Sequence, residues 1–218
     1  MATTDTLLVR WRKKYLNFKP AQIVVLGFAA VILTGALLLT LPIASKSGKS
    51  LPFIDALFTA TSAVCVTGLV VVDTGTQFTR FGQLVVITLI QIGGLGWMTM
   101  ATLIAFLLGK KITLRDRLLI QESYNQFSLS GLVRLVRNIV IFTVAFELTG
   151  GLLLAFGLAK YMPIGHSLFY GLWHGISAFC NAGFDLFGEV FEENFVSLTY
   201  FVEDPVVVLS IAGLIIFG

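Results

Sequence analysis

The sequence predicts an all-α integral membrane protein, in which repeated units of span, pore helix, filter loop and span lie in parallel around a pore. Of its 218 residues, 56% are hydrophobic and only 12% are charged. A soluble domain of this size is excluded because it would need more charge to cover its surface. The apolar residues also fall in long unbroken blocks, which is typical of membrane spans. A motif shared by two segments between these blocks predicts the internal repeat.

Four apolar blocks predict the spans, at residues 21–41, 83–109, 138–158 and 205–218. The first three are long enough to cross about 30 Å of hydrocarbon, whereas the fourth is too short. We therefore expect a fragment of a longer protein. Its predicted parts are a cytoplasmic N-terminus (1–20), a first repeat (21–109), a cytoplasmic loop (110–137) and a second repeat (138–218) that is truncated within its last span. The cluster Gly93-Gly94-Leu95-Gly96 is expected to allow a bend or a close backbone approach.

Two moderately apolar segments, residues 51–69 and 166–184, differ from the spans. Each mixes aromatic residues with Ser, Thr and Gly and is too short for a span and a return. We expect each to enter the membrane as a half-helix and to leave it as extended chain. Such backbone is tolerated at membrane depth only where it lines a polar cavity or is buried in protein.

The distribution of charge predicts the orientation. Eleven of the 15 Lys and Arg residues lie before residue 20 or between residues 110 and 137, and only Lys46, Lys49, Arg80 and Lys160 lie elsewhere. The positive-inside rule then predicts a multi-pass protein of the cell membrane with a cytoplasmic N-terminus. Most acidic residues fall on the predicted outer side. They either raise the local cation concentration or belong to ordinary polar loops, and the sequence leaves both interpretations open.

The two short segments superimpose at a shift of 115 residues. The shared pattern is Ser-Ala-x-Cys-x-x-Gly, which places Ser62, Cys65 and Gly68 on Ser177, Cys180 and Gly183. Each copy follows an outward span and precedes an inward one, so the repeats are parallel. Parallel repeats imply an axis along the membrane normal, which favours a central pore.

The chemistry of this pattern is that of a cation filter. A half-helix entering from outside points its partially negative carbonyl end at the membrane centre, and the extended chain after it can offer backbone carbonyls in place of water. Glycine permits the unusual backbone angles that this requires. The candidate ligands are the carbonyls of Val66, Thr67, Gly68, Asn181, Ala182 and Gly183. The alternative is that both glycines belong to ordinary loops between membrane helices.

Other polar residues suggest no enzyme, covalent cofactor or nucleic-acid partner. No nucleophile–base pair, metalloprotease motif or phosphate-binding loop is present in the sequence, and His166 and His174 are too isolated to predict a metal site. Glu147 lies within a predicted span, where an ionised group is costly. We expect a structural partner for it, either Gln91 or a hydroxyl of a pore helix.

Three strings resemble the Trk/Ktr/HKT superfamily of potassium transporters, and most closely the membrane subunit of bacterial Ktr systems. Residues 61–69 (TSAVCVTGL) resemble its first pore loop, residues 91–96 (QIGGLG) its second helix, and residues 174–184 (HGISAFCNAGF) its second pore loop. The resemblance covers essentially the whole chain.

The resemblance implies channel-like uptake of potassium, sometimes with or in place of sodium. It also implies four repeats in one chain, each with one filter glycine, a homodimer of the full-length chain, and a cytoplasmic nucleotide-binding regulatory ring as partner. This chain holds only two repeats. A secondary transporter of another small solute is the alternative, although such proteins more typically have inverted repeats around a midplane pocket.

Overall fold

The computed structural model describes residues 20–96, 99 and 132–218. These residues form helices and turns without a strand, apart from one antiparallel bridge between Ser45 and Phe78. The all-α class is therefore confirmed for the described part. Residues 1–19 of the predicted N-terminal segment 1–20 and most of the predicted loop 110–137 lie outside it.

The helices follow the order that the apolar blocks predict. They are α1 (Pro20–Leu39), α2 (Phe53–Val64), α3 (Thr74–Gln77), α4 (Arg80–Leu95), α5 (Leu132–Leu158), α6 (Ile164–Phe179), α7 (Gly188–Phe191) and α8 (Pro205–Phe217). Two 3-10 turns, Pro42–Ala44 and Thr199–Phe201, complete the described elements. Within α1 and α5, Ala21–Leu39 and Arg134–Leu158 are long and apolar enough to cross a membrane. Helix α5 begins at Leu132 rather than near Asn138, so the end of the predicted loop is helical.

Helix α4 is shorter than its apolar block. It begins after Thr79, whose hydroxyl accepts a hydrogen bond from the N–H of Gly82, and it ends at Leu95. Gly96 follows with φ 76° and ψ 133°, backbone angles that glycine adopts readily because it has no Cβ. A Cβ on Gly93 would collide with the carbonyl of Val64 at the end of α2. Of the two alternatives predicted from this glycine cluster, the close backbone approach is confirmed, and the bend stays a prediction. Of the block beyond Gly96, only Thr99 is described.

Helices α5 and α6 cross at close range through glycines. A Cβ on Gly171 would lie 2.5 Å from the carbonyl oxygen of Gly151, and one on Gly175 would lie 2.8 Å from the Cα of Gly151. Gly171 and Gly175 are four residues apart, the small-xxx-small spacing that lets membrane helices approach. This contact was not predicted from the sequence, although the spacing of the two glycines is visible in the chain. The contact fixes the short helix α6 against the long helix α5.

Helix α8 also packs against α5, at Gly150 and Gly157. Asp204 caps it by accepting from the N–H groups of Val206 and Val207, and Pro205 occupies its first turn, where no N–H is needed. Leu214 of α8 fills the space above Gly150 of α5. We call residues 20–96 the first unit and residues 132–218 the second unit. In the second unit, the long helix α5, the short helix α6 and the apolar helix α8 contact one another.

Candidate cation site between the two loops

The first loop begins where α2 ends. The N–H of Val66 donates to the carbonyl of Ala63 (3.2 Å), and that of Thr67 donates to the carbonyl of Ser62 (2.9 Å). Val66 has φ 54°, which is unusual for a β-branched residue, and Gly68 has φ 75°. Strained backbone of this kind persists only where its surroundings hold it, and it is concentrated at functional sites.

The second loop repeats this geometry at the end of α6. The N–H of Asn181 donates to the carbonyl of Ala178 (3.0 Å), and that of Ala182 donates to the carbonyl of Ser177 (2.8 Å). The positive φ angles recur as well, at 56° for Asn181 and 72° for Gly183. The local backbone of both segments therefore agrees at the shift of 115 residues that the sequence motif shows.

The two loops meet at their glycines. A Cβ on Gly68 would lie 2.7 Å from the carbonyl oxygen of Ala182 and 3.2 Å from the Cα of Gly183. A Cβ on Gly183 would lie 3.4 Å from the Cα of Gly68, which is an ordinary contact. Of the six residues predicted as ligands, Gly68 of the first loop thus lies against Ala182 and Gly183 of the second. Gly68 is the position at which any side chain would strike the opposite loop.

The carbonyls of these six residues share one feature, the lack of a backbone donor among the described residues. In the part of the chain that the structure describes, no backbone N–H outside the regular helices donates to residues 66–68 or 181–183. Neutral oxygens without protein donors are the ligands that replace water around a monovalent cation.

Comparison with known proteins identifies the family. The profile of the TrkH family, described as a cation transport protein, matches residues 8–218. The chain belongs to the TrkH family. The resemblance noted in the sequence is thereby confirmed.

The curated relatives of this TrkH-family chain include two proteins named Ktr system potassium uptake protein B. The one from Bacillus subtilis is 48% identical over 94% of the chain and 44% of its own length, and the one from Vibrio alginolyticus is 45% identical over 90% of the chain and 41% of its own length. The potassium/sodium uptake protein NtpJ of Enterococcus hirae is 41% identical over 79% of the chain and 38% of its own length. The chain therefore spans less than half the length of these relatives.

Glu147 of this TrkH-family chain has the partner that the sequence suggested. Its Oε1 accepts a hydrogen bond from Nε2 of Gln91 at 2.9 Å, and the Cys180 thiol lies 3.9 Å from the same oxygen. The expectation of a structural partner is confirmed. Glu147 joins α5 to α4 and to the end of α6, directly beside the second loop. Cys65 and Cys180 are both free thiols.

A cluster of polar side chains joins the two units at the predicted outer side, and it was not predicted from the sequence. Glu189 of α7 accepts from the Tyr170 hydroxyl (2.7 Å) and from Nε2 of Gln83 (3.2 Å). It also pairs with Lys46 (3.1 Å) and Arg80 (3.6 Å). Burial by itself raises the pKa of Glu189, but these hydrogen bonds and the Arg80 charge outweigh it and lower the pKa below its ordinary value. We call this set of five residues the Glu189 cluster.

Other acidic residues of the predicted outer side have local structural roles. Asp73 caps α3 by accepting from the N–H of Thr76 (2.7 Å), and its second oxygen accepts from the N–H of Phe195 (2.8 Å). Asp204 caps α8 and pairs with Lys160 at 3.0 Å. The sequence left two interpretations of these acidic residues open: they raise the local cation concentration, or they belong to ordinary polar loops. Their roles as helix caps and ion-pair partners favour ordinary polar loops.

Proposed function

We propose that this chain forms the first two of four units of a channel-like potassium-uptake protein of the cell membrane. The observation that carries the proposal is the meeting of two left-handed, glycine-containing loops whose six carbonyls have no backbone donor among the described residues. The repeated short helix and loop supports the arrangement of pore helix and filter. The names of the relatives, potassium uptake and potassium/sodium uptake, support the choice of ion.

The proposed mechanism is the exchange of water for backbone oxygen. A potassium ion entering from outside loses its hydration shell as the carbonyls of Val66, Thr67 and Gly68 on one side and of residues 181–183 on the other take its place. The carbonyl ends of α2 and α6 favour the positive charge. Two further units would supply the remaining ligands. The ion is cargo, and the proposal includes no cofactor and no enzymatic step.

The proposed setting follows the charge distribution and the family. The N-terminus and the segment 110–137 face the cytoplasm, because eleven of the 15 basic residues lie there. Segment 110–137 is the proposed contact for a nucleotide-binding regulatory ring. Two relatives are named protein B of a Ktr system, and this name supports a system with more than one protein. The full-length chain is proposed to form a homodimer in the lipid bilayer.

Rubidium uptake tests the proposal. Cells that lack their own potassium uptake should accumulate rubidium when they express the full-length gene, and potassium should compete with rubidium more strongly than sodium does. Empty-vector cells are the control. The same cells should show no gain in amino-acid uptake, which separates this function from a secondary transporter of another solute. A full-length protein that reaches the membrane and moves no rubidium would refute the proposal.

A further inference from the structure

The two loops are held differently by their own helices. In the second unit, the Ser177 hydroxyl donates to the carbonyl of Phe184 at 2.7 Å, so the chain just after Gly183 is tied back to α6. The equivalent hydroxyl of the first unit, on Ser62, is buried and has no hydrogen-bond partner among the described residues. The motif residue is the same in both units, but only one copy holds its loop.

A second attachment is made by His174. Its Nδ1 lies 2.7 Å from the carbonyl oxygen of Tyr170, and its Nε2 lies 3.1 Å from the N–H of Leu186. A carbonyl can only accept and an amide N–H can only donate, so Nδ1 carries the proton and Nε2 is bare. His174 is therefore a neutral imidazole in one defined tautomer, and it stacks on Phe187 with 4.1 Å between ring centroids.

The first unit has half of this arrangement. Thr59 occupies the position equivalent to His174 and donates to the carbonyl of Asp55 at 2.8 Å, which matches the bond from His174 to Tyr170. In the described chain, no hydrogen bond joins Thr59 to the loop after Gly68. The second loop is thus anchored to its helix before and after the candidate ligands, whereas the first loop is anchored only before them.

We propose that His174 is a positioning residue for ion selectivity, which fixes the second loop through the N–H of Leu186 while Ser177 fixes it through the carbonyl of Phe184. This inference rests on the proposed function. With both ends tied to α6, the carbonyls of residues 181–183 keep one direction when an ion enters. The carbonyls of the first loop can change direction to fit the ion, whereas those of the second loop stay fixed.

Two substitutions separate the bonds of His174. In His174→Asn the amide reaches the position of Nδ1 and keeps the bond to Tyr170, but it is too short to accept from Leu186. In His174→Gln the longer side chain places its oxygen near the position of Nε2 and keeps the bond to Leu186. We expect H174N to lower the preference for potassium over sodium about three- to tenfold, the range of one hydrogen bond, while H174Q stays within about twofold of wild type.

The measurement is rubidium uptake and its inhibition by sodium, in the full-length protein at matched surface expression. Thr59→Val is the matched control, because it removes the equivalent bond in the first unit without touching a loop, and its preference should equal that of wild type.

An unchanged preference in H174N, or an equal loss in H174N and H174Q, would overturn the inference. If H174N does not reach the membrane, Ser177→Ala replaces it, and an unchanged preference there overturns the inference as well. In each of these cases wild-type uptake still tests the proposed function by itself.

Discussion

At the scale of single residues, the two loop glycines are not equivalent. Both have positive φ, but only Gly68 is so close to the opposite loop that an added Cβ would require movement. The asymmetry matters because a shift of the carbonyl of Ala182 changes a candidate ligand in the other unit. A substitution at Gly68 therefore acts on both loops at once.

We expect Gly68→Ser in the full-length protein to reduce the preference for potassium over sodium by about tenfold, ~1.4 kcal/mol of differential binding. The new Cβ moves the carbonyl of Ala182, and the hydroxyl offers an oxygen that suits the smaller ion. Resemblance to the Trk/Ktr/HKT superfamily points the same way, because plant members with serine at this filter position tend to favour sodium. Sodium inhibition of rubidium uptake at matched surface expression measures the effect.

Gly48→Ser is the matched control for this experiment. Gly48 also has positive φ (68°), but no atom lies within 4 Å of its added Cβ. It therefore carries the backbone strain without the collision, and its selectivity should equal that of wild type. If G68S and G48S behave alike, Gly68 is an ordinary loop glycine.

We expect Glu147→Leu to destabilise the protein by about 1–3 kcal/mol, because Nε2 of Gln91 loses its acceptor in an apolar environment. Glu147→Gln keeps an oxygen at the same place and should remain close to wild type. The thermal unfolding midpoint in detergent compares the two. Equal midpoints for E147L and wild type would show that the contact between Glu147 and Gln91 contributes nothing to stability.

At the scale of elements, the Glu189 cluster connects the two units. Lys46, Arg80 and Gln83 belong to the first unit, whereas Tyr170 and Glu189 belong to the second. Arg80 also lies over the ring of Phe169, 4.4 Å from its centroid, which adds a cation–π contact between the same elements. The short helices α3 and α7 contact each other, and Lys46 of the cluster also donates to the carbonyl of Gly75 in α3 at 2.7 Å.

We expect Glu189→Gln to lower stability by about 1 kcal/mol at neutral pH, the upper range for a partly exposed ion pair. The folded pKa of Glu189 is below its ordinary value of 4.5, so its contribution is complete above 4.5 and is lost as the pH falls through the folded pKa. The difference in unfolding midpoint between wild type and E189Q should thus be constant near pH 7 and should shrink below pH 4.5. Exposed Glu192 provides the control, since E192Q should show no such difference. A difference that is independent of pH would contradict the ionic role.

At the scale of the whole molecule, the orientation in the membrane is a proposal from charge alone. In a background without Cys65 and Cys180, a cysteine at position 131 should be labelled only from the cytoplasm and one at position 192 only from outside. The basis is the uneven division of basic residues. Labelling from the opposite sides would show that the protein has the reverse orientation. The carbonyl ends of α2 and α6 would then not face an ion that enters from outside.

We also expect that residues 1–218 alone do not conduct. Two loops supply half of the proposed ring of carbonyls, and an ion would lack coordination on the open side. The purified fragment in liposomes should give no rubidium flux, whereas the full-length protein under the same conditions should. Flux of the fragment at the full-length level would mean that copies of the fragment complete a pore.

Much of this architecture follows from local sequence. Unbroken apolar blocks predict helices because only helices satisfy their own backbone in lipid, and α1, α5 and α8 lie where such blocks lie. The repeated motif predicts the two loop positions because glycine is needed where φ is positive, as observed at Gly68 and Gly183. The partner of Glu147 was predictable because a buried carboxylate in a span needs a donor and few polar side chains are available.

The class of protein, the order of its helices and the pair of glycine-containing loops can be predicted from the sequence, because each depends on residues that are neighbours in the chain. Packing between distant parts of the chain places Gly68 against Ala182, joins the units through Glu189, and brings His174 to the N–H of Leu186, whereas Thr59 bonds to no described residue of the loop after Gly68. The first two contacts join residues far apart in sequence, and the third depends on where a loop returns to its helix. Hydrophobicity and motif spacing do not encode those directions, which are set by how the helices pack.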